Sequence, residues 1–129
     1  MSQSLLVIED EAHIAEALRF LLSRAGWQVE VHADGATAVE TIRRLRPSAL
    51  VLDVMLPGRS GYEILEELRA DPALRDLPVL ILTARGQERE KALAGIKGAS
   101  LFMTKPFAND ELIANLRRLA GDPAAARAG

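Results

Sequence analysis

The sequence predicts an α/β domain of the doubly wound (βα)5 kind, with a five-stranded parallel sheet. Three observations predict it. Five short apolar runs alternate with five segments of helical periodicity, as βαβ crossovers require. Residues 5–8, 49–52 and 79–82 are apolar at consecutive positions rather than alternate ones, as strands buried on both faces should be. Polar residues then follow the runs directly, where open parallel sheets place their ligands. An all-helical bundle with short apolar segments is the competing architecture, and the consecutive apolar runs argue against it.

The first strand covers residues 5–8. In the segment behind it, Ile14, Leu18, Leu21, Leu22 and Ala25 keep helical spacing while Glu11, Glu16, Arg19 and Arg24 take the other face. Gly26 stops that helix. The second strand is residues 29–31. A second helix begins near Asp34-Gly35, carries Val39, Ile42 and Leu45, and closes at Pro47. After the third strand, residues 49–52, Ser60 and Glu63 form a capping box that opens a third helix. That helix carries Ile64, Leu65 and Leu68, with Asp71-Pro72 just beyond. The fourth strand, residues 79–82, leads to a fourth helix from about Gln87 to Ile96, whose end Gly95 and Gly98 blur. Residues 101–103 form the fifth strand. The last helix is capped by Asn109 or Ala108. Asp110 and Glu111 in its first turn, with Arg117 and Arg118 in its last, complement the helix dipole. Gly121 and Pro123 end it, and residues 124–129 read as a frayed tail. The expectation is one domain over residues 1–121 and a flexible segment over 122–129. Trp27 reads as strand-end packing.

Composition excludes several function classes. The 129 residues allow one domain, and 49% hydrophobic with 26% charged residues is a globular balance. The absence of cysteine removes disulfides, thiolate zinc and a cysteine nucleophile together. Sixteen Lys and Arg against eighteen Asp and Glu leave a net charge of −2, so no basic footprint for nucleic acid exists. No apolar run approaches the roughly 20 residues of a membrane span. The start, Met1-Ser2-Gln3-Ser4, lacks the pattern of a signal peptide. The expected setting is cytoplasmic, with no membrane or direct nucleic-acid partner.

Charge placement carries the functional reading. Glu9, Asp10 and Glu11 follow the first strand, Asp53 the third, Thr83 ends the fourth, and Lys105-Pro106 ends the fifth. The commonest order for five such strands, 2-1-3-4-5, puts strands one and three side by side at the switch point. Glu9, Asp10 and Asp53 then share one crevice, with Thr83 and Lys105 on the next strands along. At about 5 Å and an effective dielectric near 20, each carboxylate pair costs roughly 3 kcal/mol. A raised pKa or nearby positive charge relieves this. Lys105 offers one charge; a hard divalent cation offers two and prefers carboxylate oxygens. With no Cys, and with His13 and His32 outside the cluster, the donor set favours Mg²⁺ or Mn²⁺ over zinc or copper. A metal beside a carboxylate points to phosphoryl chemistry. Asp53, projecting between the metal ligands and the lysine, is the candidate nucleophile, and the Thr83 hydroxyl can donate to a phosphoryl oxygen. Taken singly, each residue has a plainer reading: Asp53 as a buried structural acid, residues 9–11 as a solvated turn, Lys105 as a surface lysine, Phe102 as core.

Four separated motifs go further. Leu6-Val7-Ile8-Glu9-Asp10-Glu11, Leu52-Asp53-Val54-Met55-Leu56-Pro57-Gly58 with Gly61, Leu82-Thr83-Ala84-Arg85 and Thr104-Lys105-Pro106-Phe107 resemble the receiver domain of two-component response regulators. The resemblance runs from about Leu5 to Leu119, and its Glu-Asp-Glu and Met-Leu-Pro-Gly are similar to the winged-helix transcription-factor branch. It implies a flavodoxin-like sheet in the order given above. It also implies that Asp53 accepts a phosphoryl group from a histidine of a sensor histidine kinase or of a histidine phosphotransfer protein. Asp10, Asp53 and the backbone carbonyl of Met55 would hold Mg²⁺, with Mn²⁺ as a substitute and Glu9 acting through water. Lys105 would pair with the phosphoryl group, its bond to Pro106 cis. Thr83 would move toward the phosphate and Phe102 would be the rotating aromatic.

The implied function is a phosphorylation-activated switch. The added charge of about −1.5 to −2 biases a bistable element. It is not a conventional enzyme: self-phosphorylation from small phosphodonors and slow autodephosphorylation are the most it would catalyse. Met55 and Arg85 flank the site and would set the lifetime of the phosphate. The output is a downstream protein meeting the face of the fourth helix, fifth strand and fifth helix. In the transcription-factor branch that face dimerises through salt bridges. Lys91 and Glu111 could form one, but Ser100, Leu101 and Asn115 stand where two acids and an arginine are usual, and Ala108 replaces the usual capping Ser. The expectation is a monomer or weak dimer, with Leu93 and Leu101 as apolar contacts for another partner.

Two other classes compete on the residues. A metal-dependent phosphohydrolase could use Asp53 as nucleophile, but the haloacid-dehalogenase type needs a second Asp where Met55 stands, and no cap insertion is present. A flavin or nucleotide carrier needs Ser, Thr or Gly after the first strand, whereas Glu9-Asp10-Glu11 repels phosphate. With no second domain after residue 121, the chain reads as a free-standing regulator or an excised receiver.

Overall fold

The computed structural model describes residues 3–84 and 88–121. Its elements run β1 (Ser4–Ile8), α1 (Ala12–Arg24), β2 (Gln28–His32), α2 (Ala38–Leu45), β3 (Ala49–Leu52), α3 (Gly61–Ala70), β4 (Val79–Thr83), α4 (Glu88–Lys97), β5 (Leu101–Thr104) and α5 (Asn109–Ala120). The five strands form one parallel sheet in the order β2-β1-β3-β4-β5.

The apolar runs explain this arrangement. Every residue of β3 and β4 is buried, because side chains leave a strand on alternate faces and both faces are covered. Leu6, Ile8, Leu50, Leu52, Val79 and Ile81 face one core with Val39, Ile42, Ile64, Leu65, Leu68 and Ala94, from α2, α3 and α4. Leu5, Val7, Ala49, Val51, Leu80, Leu82 and Met103 face the other with Leu18, Leu22, Leu112 and Leu116, from α1 and α5. The edge strand β2 instead exposes Gln28 and Glu30, which suits a strand with a free side. Trp27 is buried in the second core, at the start of β2.

Local chemistry sets the helix ends. Ser60 accepts from the Glu63 amide while the Glu63 side chain accepts from the Ser60 amide, the reciprocal cap read from the sequence. The cap of α5 is Ala108, which makes no side-chain hydrogen bond, so Asp110 and Glu111 answer the helix dipole alone.

One boundary departs from expectation. α2 begins at Ala38, not near Asp34-Gly35. Asp34 accepts from the Ala36 amide at 3.1 Å and from the Thr37 hydroxyl at 3.0 Å, a turn that competes with helix. Gly35 also donates to the Pro57 carbonyl at 3.0 Å, and a Cβ on it would fall 2.2 Å from the Arg59 carbonyl oxygen. The segment therefore packs as a loop against the stretch that leads from β3 into α3. At its other end α2 stops on Arg46 in the left-handed conformation (φ 48°), immediately before Pro47. The expected start of α4 at Gln87, the flanking Arg85, Pro123 and the tail 122–129, and Met1 and Ser2 lie outside the described residues. Among those described, no helix is long and apolar enough to cross a membrane.

Candidate functional site

The site is built at the carboxyl edge of the sheet, where β1 and β3 are neighbours. Ile8 and Leu52 are register partners, so the next residues, Glu9 and Asp53, emerge side by side. The Asp53 amide donates to the Ile8 carbonyl and the Glu9 amide to the His32 carbonyl, both at 3.0 Å, extending the ladder one step past each strand. Glu9 and Asp53 are buried while Asp10 is exposed. One carboxylate oxygen from each of Glu9, Asp10 and Asp53 lies within 4.8 Å of the others.

Lys105 reaches into this cluster from the end of β5. Its ammonium bonds Glu9 Oε1 and lies 3.2 Å from Asp53 Oδ2. Its amide donates to the Thr83 carbonyl at 2.9 Å, and the Lys105–Pro106 peptide bond is cis. The second Glu9 oxygen accepts from the Glu11 amide at 3.2 Å, and Asp53 Oδ1 from the Met55 amide at 3.4 Å. Burial pushes the Glu9 carboxyl above its ordinary value, and Asp53 adds to the push; the bonds from Lys105 and the Glu11 amide oppose it without winning. Burial works against the Lys105 charge as well, but the Glu9 bond and the charges of Asp53 and Glu9 hold its pKa above the usual lysine value. The two directions have different causes: burial dominates at Glu9, whereas at Lys105 the neighbouring carboxylates outweigh burial.

The remaining predicted residues fall around this centre. Thr83 is buried at the end of β4, beside Thr104 in the register. Phe102 is half-buried and packs on the core under α3 and α4. Met55 is more than half exposed beside the acids. Gly61 lets the chain return past Asp53: its amide donates to the Val54 carbonyl at 2.8 Å, and a Cβ there would sit 2.3 Å from the Asp53 carbonyl oxygen. His13 is exposed, and His32 is bonded to the Thr37 hydroxyl at 2.9 Å. Lys91 and Glu111 line one open groove with Phe102, Thr104 and Pro106, between α4 and α5. Ser100 accepts from the Val79 amide at 3.0 Å, and Asn115 lies 3.3 Å from the Met103 sulfur, so both make contacts within the chain.

Only oxygens are offered at the acid cluster, one of them at the open mouth, and their spacing fits a hard divalent cation. Two features were not visible to sequence reasoning. The Tyr62 hydroxyl donates to a Glu90 carboxylate oxygen at 2.7 Å, joining α3 to α4. Arg69 reaches the carbonyls of Gly98 at 2.8 Å and Leu77 at 2.7 Å, joining α3 to two loops. Tyr62 and Arg69 occupy half-buried helix positions whose pattern says only that they border a core.

A family profile, the response regulator receiver domain, matches residues 5–117. The chain belongs to that receiver family. Over 119 residues it is 44% identical to the response regulator MprA of Mycobacterium ulcerans (strain Agy99), covering 92% of this chain and 50% of that protein. The chain thus spans about half the length of the curated relatives it matches. A crystal structure of a putative response regulator from Chloroflexus aurantiacus superposes with a TM-score of 0.89 at 34% identity, covering 93% of this receiver and 98% of that chain. The receiver domain of sensor histidine kinase PA1611 from Pseudomonas aeruginosa superposes with a TM-score of 0.85 at 30% identity, covering 94% of this receiver and 99% of that chain. In that structure a magnesium ion is coordinated in the active-site cleft. The five-stranded order 2-1-3-4-5 expected from the sequence is the order found.

Proposed function

We propose that this receiver is a phosphorylation-activated switch in which Asp53 accepts a phosphoryl group from a histidine of a sensor kinase or phosphotransfer protein. The observation that carries the reading is the buried Asp53 carboxylate, 3.2 Å from Lys105 Nζ and flanked by two further acids. An Asp53 oxygen attacks phosphorus as the nitrogen–phosphorus bond of the donor breaks, and the departing imidazole takes up a proton from water. Lys105 holds Asp53 ready and pairs with the charge that develops on the transferred group. Asp10, Asp53 and the Met55 carbonyl are the residues that would hold Mg²⁺ or Mn²⁺. Glu9 would serve through water, because one of its oxygens is on Lys105 and the other on the Glu11 amide. When bound, the ion supplies neutralising charge to the phosphoryl oxygens.

Thr83 and Phe102 serve as the moving pair: the Thr83 hydroxyl turns to a phosphoryl oxygen, and Phe102 follows into the space it leaves. The result is read on the α4–β5–α5 face by a downstream protein, the receiver itself being a monomer or weak dimer. Acetyl phosphate with Mg²⁺ tests the reading. The protein should gain the mass of one phosphoryl group, about 80 daltons, and Asp53→Asn should gain none. Persistent labelling of that variant would place the acceptor elsewhere.

A further inference from the structure

α4 is poorly held by apolar contact. Ala94 is the one fully buried side chain among those of α4 that are described. Ile96 is 81% exposed, and a Cβ at Gly95 would meet nothing within 4 Å. Among the described residues, α3 supplies polar contacts to both ends of this helix. At the far end, Lys97 pairs with Glu66 at 2.7 Å, and Arg69 donates to the Gly98 carbonyl at 2.8 Å. Gly98, at a φ of +104°, lies so close to the Arg69 side chain that a Cβ there would fall 2.8 Å from its Cγ. At the near end, the Tyr62 hydroxyl donates to Glu90 Oε2 at 2.7 Å and lies 3.3 Å from the Glu90 carbonyl oxygen.

The two ends differ in what they are attached to. Arg69 also grips the carbonyls of Arg75 and Leu77, so the far end is tied into the loop before β4. Tyr62 follows Gly61, whose amide is bonded to the carbonyl of Val54, the residue after Asp53. Its ring packs on the core beneath α3 and α4. The near end of α4 is therefore connected to the Asp53 loop through a short rigid path.

We propose that the Tyr62–Glu90 contact is a clasp that fixes the first turns of α4 to α3 and hands movement of the Asp53 loop to α4, with the Arg69–Gly98 contact as the pivot. The transmission half of this rests on Asp53 being the phosphoacceptor; the clasp itself does not. A hydrogen bond to a charged acceptor is stronger than a neutral one, and here it holds a helix that packing alone holds weakly. A shift of the Val54–Gly61 segment then pulls on Glu90 directly, by a route separate from Thr83 and Phe102.

Amide hydrogen exchange on the full chain tests the clasp without any phosphodonor. In Tyr62→Phe and Glu90→Ala, the amides of Ala92, Leu93 and Ala94 should exchange about tenfold faster, while those of Leu112 and Leu116 in α5 stay unchanged. Glu90→Gln keeps an acceptor oxygen and should retain most of the protection. The double variant Tyr62→Phe, Glu90→Ala should be no worse than either single change. Unchanged α4 exchange in Tyr62→Phe, or equal acceleration in α4 and α5, would overturn the clasp. Beryllofluoride with Mg²⁺ then tests transmission: the α4 amide shifts seen in wild type should fall by about half or more in Tyr62→Phe, with the bound-fluoride signal retained. Full α4 shifts in that variant would overturn the transmission. Failure of wild type to bind beryllofluoride would instead sink the phosphoacceptor reading, and the exchange result would still decide the clasp.

Discussion

Lys105 crosses the end of β4 to place its ammonium 3.2 Å from Asp53 Oδ2, joining the end of β5 to the end of β3. The same ammonium bonds Glu9 at the end of β1. A single side chain thus ties together three of the five strand ends.

Removing that charge leaves two buried carboxylates facing each other. Lys105→Ala should lose about 3 kcal/mol of stability, the usual consequence of stripping one partner from a buried ion pair. Added Mg²⁺ should recover part of the loss, because positive charge is what the site then lacks. Urea unfolding with and without the metal measures both. A variant as stable as wild type in metal-free buffer would contradict the electrostatic account of the site.

The raised Glu9 carboxyl has a definite consequence for pH. The native protein binds its proton more tightly than the unfolded chain, whose carboxyl titrates near the ordinary 4.5. This group's contribution to stability is therefore greatest below 4.5 and declines as pH rises through the higher native value. Lys105, also raised, contributes fully below 10.5 and loses its contribution only as pH climbs through its own native value. At neutral pH, then, the buried Glu9 charge opposes folding, and a cation bound beside it offsets that cost. Magnesium at ten times its Kd should stabilise the protein by about 1.4 kcal/mol. The effect should shrink as the medium is acidified toward 4.5 and Glu9, whose carboxyl is raised, takes up a proton. Calorimetric melting at pH 7 and at pH 4.5 separates the cases; equal Mg²⁺ effects at both would reject the assignment of Glu9, Asp10 and Asp53 as its site.

Two glycines should respond in opposite directions. Gly95→Ala adds a methyl group where nothing lies within 4 Å, so it should raise stability by about 0.5–1 kcal/mol through helix propensity alone. Gly35→Ala drives a Cβ to 2.2 Å from the Arg59 carbonyl oxygen and should destabilise by about 1–3 kcal/mol through overpacking. Thermal melts of the pair are the check. Neutrality of Gly35→Ala would show that the loop between β2 and α2 yields readily.

Periodicity alone determined the alternation of strands and helices in this protein. Consecutive apolar residues at 49–52 and 79–82 mark strands covered on both sides, and Ser60 with Glu63 marks a helix start, since each signal is local to a few residues. The acids and the lysine were legible for a related reason: charged groups abutting apolar runs must leave the sheet at its edge. Other features were decided only when distant segments met. Asp34 and Gly35 look like a helix start until the Pro57 carbonyl and the Arg59 backbone arrive and make a turn the better partner. Ser100 and Asn115 take positions that salt-bridging residues usually hold in the transcription-factor branch, and only the fold puts the Val79 amide and the Met103 sulfur beside them. Tyr62 and Glu90 are 28 residues apart, and no local pattern pairs them. Hydrophobic period and end-capping act over one or two turns of chain and can be read in order. A hydrogen bond between α3 and α4 depends on where the sheet places both helices, and that is settled only by the packed core.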